Sequence, residues 1–449
     1  MAPVLTDVEK YLTDFQAFEQ ALPAGEAAWV RDLRRRGIAR FQEVGLPTAR
    51  KGNERWKYTN VGPIASATFH HPVAAPARTP AVAEFRDLLP WQEDWLRLVF
   101  VDGRFAPELS DTAGAPDGVR LDSLAAALTS DGQVAEQHLA RYATPDIDGF
   151  TALNAAFLRD GALVHVPDGV ELATPLLLVY LTTEHDSPVV TYPRTLVVLG
   201  RNAAVTLVEA YVGLAAGRYF TDAVTEVVLD EGARAHHYRY LREGAEAFHI
   251  GTTKVHQGRD STFESVAFEM GCAIARNDVH VLLDDPGASC VLNGLYMTAG
   301  TQHMDNDINI DHLKPHCSSS QYWKGILAGR SRAVYSGRVV VHRDAQKTYA
   351  TQADKNLLLS EEAEIDTKPS LFIYADDVQC THGATAGHID EDAYFYLRSR
   401  GLDAETASRL LINGFAREIL DGISLAPLRE YLDRLTSSSL PEFRFSERR

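Results

Sequence analysis

The chain has 449 residues, 45% hydrophobic and 23% charged, enough for two or three globular domains around a large buried core. Its 61 acidic residues outnumber its 44 basic ones, giving a formal net charge of -17. Such a surface repels phosphate backbones and anionic lipid, which argues against nucleic-acid and membrane-surface partners.

The first twenty residues carry Asp7, Glu9, Asp14 and Glu19 and show no basic-then-apolar leader pattern. The longest apolar stretch, around Leu176 to Leu181, is too short to span a bilayer, so a soluble cytoplasmic protein is expected. Cys272, Cys290, Cys317 and Cys380 include no Cys-x-x-Cys pair, and a chain of this length needs no disulfide staples. They are expected to be reduced thiols.

Thr6 and Glu9 have capping-box spacing, and Val8, Tyr11, Leu12, Phe15, Phe18 and Leu22 then follow a helical period. A second helix is predicted from Glu26 to Val44, stopped by Gly45 and Pro47. An aromatic and polar cluster follows, Asn53-Glu54-Arg55-Trp56-Lys57-Tyr58-Thr59-Asn60, and then a Pro/Ala-rich linker from Ala74 to Ala81. Leu96 to Phe100 reads as a strand ending in the turn signal Asp102-Gly103, and Leu121 to Tyr142 as helix.

From Thr151 to Ile389 short β-rich runs alternate with Gly, Asp and Asn. A degenerate unit recurs, Leu, a polar turn, then Ala-x-apolar: at Leu199 to Val205, Leu229 to Ala235, Leu283 to Cys290, Leu327 to Ala333 and Leu359 to Ile365. Many short strands turning at polar corners suit a parallel β-helix, with a sandwich or jelly roll as the rival. Beyond it three helices are predicted: one capped by Asp390 and stopped by Gly401, one opened by Asp403, and one opened by Ser424 and Pro427. The chain thus divides into a helical N-terminal domain (1–75), a mixed α/β segment (76–150), a β core (151–389) and a helical C-terminal domain (390–449), mainly β overall.

No phosphate-binding Gly-x-x-x-x-Gly-Lys-[Ser/Thr] loop, His-Glu-x-x-His, Gly-x-Ser-x-Gly or strand-linked Gly-x-Gly-x-x-Gly is present, which moves weight from catalysis toward scaffolding. In the segment from Ile373 to His388 the two-residue period puts Cys380 and His382 on one face of a strand. Thiolate and imidazole are iron-compatible ligands, but two cannot hold a cluster; the rest must come from another chain or solvent. The bland alternative is a buried thiol beside a hydrogen-bonded histidine. Alternation also lines up His303, Asp305, Asp307, Asn309 and Asp311, either a hard-cation site of the kind carbohydrate-active β-helix enzymes use or a solvated or interface face. His316 and Cys317 adjoin that row without metal spacing. His70-His71 and His236-His237 point to opposite faces if extended, and Cys272 and Cys290 suit small-hydrophobe packing.

Several blocks resemble the SUF-system assembly family that comprises SufB and SufD. They are Arg55-Trp56-Lys57-Tyr58-Thr59-Asn60, Asp311 to Gly337, Ala345 to Ala350 with Asn356 to Ser360, and Ile373 to Gly387 followed by Phe395 to Gly401. SufB-type sequences carry Glu after the His of this last block; here Gly383 stands there, with Cys380 three residues before it, which looks like the SufD branch. The resemblance implies a right-handed parallel β-helix core flanked by helical N- and C-terminal domains. It implies a non-catalytic scaffold subunit that assembles with a SufB-type paralogue and a SufC-type ATPase, or a homodimer without them. It also implies a transient iron–sulfur cluster or iron shared across the SufB interface, presented by His382 with Cys380 as its neighbour. ATP hydrolysis falls to the SufC-type partner, whose movement opens the interface, while this chain has no ATP site. The rival class is a β-helix polysaccharide lyase or hydrolase using Asp305, Asp307 and Asp311.

Overall fold

A computed structural model describes residues 8–22, 26–49, 53–72, 78–129 and 132–439. Two ten-stranded sheets face one another, and successive strands from Ala162–Val166 onward alternate between them, coiling the chain through eight parallel turns. The parallel β-helix expected from the corner pattern is thus present, and the sandwich and jelly roll are not.

The recurring Leu–turn–Ala unit is the corner of this coil. Ala204, Arg234, Thr262, Ser289, Ser318, Tyr349 and Gln379 occupy one register column, so a turn takes 27 to 31 residues and the period is uneven. Two residues before six of these strand starts stands a residue with positive φ: Asn202, Gly232, Asp260, Gly287, His316 and Lys347. Left-handed backbone makes the sharp bend, which costs glycine least and asparagine or aspartate little. The corners also stack: the Asn202 amide donates to the Glu231 carbonyl at 2.8 Å, Gly232 to Arg259 at 2.8 Å, His316 to Gln346 at 2.9 Å and Lys347 to Asp377 at 2.7 Å. The units at Leu327 and Leu359 mark the opposite corner, which is why the five examples share no single interval.

Alternate residues of each strand enter the lumen between the sheets, where Val205, Leu207, Ala235, Phe263, Cys290, Leu292, Ile308, Val339 and Ala350 form one continuous core. Both outer faces are partly covered. The C-terminal helices Ala404–Leu420 and Ala426–Ser439 lay Ile412, Ala416, Ile419 and Leu428 against Tyr238, Phe268 and Ile326 of the first sheet. The N-terminal helices Val8–Gln20 and Ala28–Val44 bury Phe15, Phe18 and Phe41 with Phe220, Phe248 and Ile250 of the second. At about 1.5–3 kcal/mol per buried large side chain, these covers stabilise the sheets substantially. Asp390 and Asp403 cap their helices as predicted, accepting from the Ala393 and Thr406 amides at 2.9 and 2.8 Å.

Thr6 of the anticipated capping box and residues 74–77 of the Pro/Ala-rich linker lie outside the described residues. The helix expected over Leu121 to Tyr142 is not continuous. Arg120–Ser123 is instead a strand antiparallel to Ala162–Val166, followed by short helices Leu124–Ala127 and Gln133–His138. Tertiary demand overrides local propensity here, because the first turn of the second sheet needs an edge partner. No helix among the described residues is long and apolar enough to cross a membrane.

A fully buried ion pair anchors the same region. Arg194 donates to Glu226 at 2.7 Å, to Asn154 at 3.0 Å and to the Ala143 carbonyl at 2.8 Å. Glu226 in turn accepts the amides of Ala140, Tyr142 and Ala143. Breaking one partner strands a buried charge, so Arg194→Met should cost about 3–5 kcal/mol. Urea denaturation of the full chain checks this, and an unchanged midpoint would contradict it.

Candidate functional site

The coil ends bare. Strand Gln379–Gly387 closes the first sheet and pairs on one side only, with Tyr349–Leu358. The Gln379 amide donates inward to the Thr348 carbonyl at 2.9 Å, and by the alternation of a parallel ladder the next amide, that of Cys380, faces away from the coil. Except for Cys380, every residue of this strand is exposed. Around it stand exposed Tyr349, Phe372, Ile373 and Tyr374, the last at 63%.

Register settles which way the candidate ligands point. Ala350, Gln352, Asp354 and Asn356 are the buried, lumen-facing positions of the preceding strand, and they pair with Cys380, His382, Ala384 and Ala386. Cys380 and His382 therefore share the inward face, as the two-residue period predicts, about 7 Å apart along the strand. With no further turn above them they look out of the mouth of the lumen. Cys380 is half-buried against the end of the core, and burial pushes its thiol up, partly offset by contact with the Ala350 backbone. A metal would have to displace that proton. Gly383 has no heavy atom within 4 Å of where a Cβ would stand, so packing does not forbid the Glu of SufB-type sequences there.

The floor of the mouth is polar. Gln352 and Asp354 are 3% and 1% exposed, and Asn356 donates to Asp354 at 2.7 Å. Burial pushes the Asp354 carboxyl up to about 6, against the pull of hydrogen bonds from Thr367 and Asn356. Among the described residues no three His, Cys, Asp or Glu side chains gather in a metal-holding arrangement. The mouth offers a thiol and an imidazole and leaves other ligand positions open.

The acidic row is an interface. His303, Asp305, Asp307, Asn309 and Asp311 do share the outer face of strand His303–His312, but the first three are covered by the Asn53–Asn60 cluster. Arg276 pairs with Asp305 and, at 2.7 Å, with Asp307; Arg55 reaches Asp278, and Asp307 at 3.5 Å. Thr59 bonds Asp305 and meets His303 at 2.9 Å, while Trp56 stacks on the Arg276 guanidinium with 4.2 Å to the ring centroid. Burial opposes ionisation of Asp278, yet Arg55 and Arg276 outweigh it and hold the carboxyl well below the usual range. Carboxylates so committed form neither a cation cage nor an exposed acid–base pair. The complementary charges of the two segments were visible in the sequence; their pairing across more than 220 residues was not.

The remaining candidates have structural roles. His236 faces outward to Glu264 at 3.1 Å, while His237 is buried on Glu209 at 3.2 Å and Ser265 at 3.0 Å, opposite faces as predicted. His71 is enclosed by Phe18, Phe157 and Tyr192, and burial drives its pKa down to about 3. Cys272, Cys290 and Cys317 are buried free thiols; Cys317 and its neighbour His316 form one of the stacked corners.

Two family descriptions match this chain: the SufBD protein N-terminal region over residues 6–178, and the SUF system FeS cluster assembly SufBD core domain over residues 180–415. An iron–sulfur cluster assembly SufBD family protein of Synechocystis is 34% identical over 444 residues, 96% of each chain. The iron–sulfur cluster assembly protein SufD of Escherichia coli is 31% identical, over 90% of this chain and 92% of its own. A chloroplastic protein of Arabidopsis thaliana, ABCI7, is 29% identical over 93% and 88%.

The buried Asp354 makes a pH-dependent prediction. Its folded pKa, about 6, lies above the ordinary 3.8, so the native state binds the proton more tightly and stability falls as pH rises from about 4 to 6. Asp354→Asn removes this loss, so relative to wild type it should gain on the order of 2 kcal/mol between pH 4 and 7. Urea midpoints of both proteins across that range check it; parallel curves would refute it.

Proposed function

This chain belongs to the SufBD family of iron–sulfur cluster assembly proteins, and from that premise we propose that it is a non-catalytic scaffold subunit whose open coil end is half of an assembly site. A SufB-type paralogue lays its own terminal strand against Gln379–Gly387 and supplies the missing ligands. Iron and sulfide are the cargo, built into a transient cluster between the subunits. His382 is this chain's principal ligand and Cys380 its neighbour.

The observation that carries this reading is the juxtaposition at the mouth. Two soft ligands share one inward face on a strand whose other edge is unpaired and exposed. An unpaired strand edge is a template for a partner strand, through which main-chain bonds give affinity. The exposed Phe372, Ile373 and Tyr374 add the apolar surface such an interface buries.

A SufC-type ATPase supplies the hydrolysis and docks on the C-terminal helices. The exposed Phe395, Tyr396 and Leu410, at 73%, 56% and 50% on two helices in contact, support that assignment as apolar surface a protein partner would bury. Movement of that partner opens the mouth to iron and sulfide.

The test is coexpression with SufB- and SufC-type partners. The three proteins should copurify, and His382→Ala should leave the complex intact while reducing reconstituted cluster to background. Cys380→Ala should reduce the yield less. Full cluster yield from the His382→Ala complex would remove the histidine from the site, and failure to copurify would sink the scaffold reading.

A further inference from the structure

A groove of about 520 Å³ runs along the outer face of the second sheet and reaches Phe372 on its terminal strand. Register explains its chemistry. Lys254, His280, Asn309, Arg338 and Ser370 form a single column across five consecutive strands, each able to donate a hydrogen bond. At about 4.8 Å per strand the column is on the order of 19 Å long.

Each carboxylate lining the groove already pairs with a cation, Asp278 through Oδ2 alone. Asp278 and Asp307 hold Arg55 and Arg276, and Glu54 holds Lys368 at 3.2 Å. Asp311, just beyond, accepts from His280 Nε2, which leaves Nδ1 to accept from Lys254 Nζ at 3.3 Å; Asp311 also lies 3.9 Å from Arg338 and 3.5 Å from His342. Arg338 spends its Nε on the Asn309 side-chain oxygen Oδ1 at 2.8 Å. Lys254 is 8% exposed, yet among the described residues that histidine is the one partner within hydrogen-bond distance of its ammonium, and no carboxylate pairs with it. Buried charges are ordinarily paired, and burial, with Arg55 nearby, holds this lysine below its ordinary pKa although Asp278 and Asp148 pull it up. An anion entering the groove would supply what the ammonium lacks.

We propose that this groove binds the oxyanion group of a small molecule, a phosphate or a carboxylate, seated between Lys254 and Arg338. Its volume is that of a small-molecule site. It is independent of the cluster half-site, because its column faces outward from the second sheet whereas His382 faces inward from the first.

Calorimetric titration of the full chain with inorganic phosphate and, separately, with malonate tests this and distinguishes the two anion types. At least one probe should bind saturably at one per chain. Lys254→Met should weaken that binding at least about tenfold, and so should Arg338→Met, whose half-exposed side chain can be removed without threatening the fold. Lys347→Met, on a corner outside the groove, should leave it unchanged. Absence of saturable binding of both anions, or binding undiminished in Arg338→Met, overturns the proposal.

Discussion

A parallel coil of strands cannot satisfy its own ends. Each terminal strand keeps a row of backbone amides and carbonyls that only another strand, or water, can pair. This chain treats its two ends differently. At the start, Arg104–Phe105 and Arg120–Ser123 run antiparallel beside the first strands of the two sheets and close them. At the finish, Glu364–Ile373 and Gln379–Gly387 carry no such cover among the described residues, and the turn between them exposes Tyr374. A chain that caps one end of its coil and leaves the other bare keeps that edge available for the partner strand proposed above.

That asymmetry gives the inward face of the last strand its meaning. In the middle of the coil, an inward residue is sealed by the next turn, as Gln352 and Asp354 are. In the last turn the same face looks out of the lumen, so Cys380 and His382 have the orientation of core residues and the access of surface ones. Their number is as informative as their type. A thiol and an imidazole with open positions around them are poor as a resident metal site and well suited to a site completed across an interface and taken apart again.

Period-two alternation was readable wherever a strand is regular, so the shared face of Cys380 and His382 and that of Asp305, Asp307 and Asp311 were both legible before the fold was known. Helix ends were legible because Asp390, Asp403 and Gly401 act through local hydrogen bonds and backbone preference. What could not be read depends on distant partners. The corner unit blurred because two different corners share it and because a turn varies from 27 to 31 residues. The acidic row could have served a cation; what decides against it is Arg55, brought to Asp278 by the docking of the N-terminal region. The helical pattern over 121–142 yielded to the need for an edge strand at Arg120–Ser123.

The central claim is that a partner strand pairs with the open edge, and amide hydrogen exchange of Gln379–Gly387 tests it most directly. Measured in the isolated chain and again in complex with the SufB-type paralogue, the outward amides of this strand should pass from rapid exchange to strong protection, while the capped strands at the other end stay unchanged. A stable complex in which those amides exchange as fast as before would contradict the account.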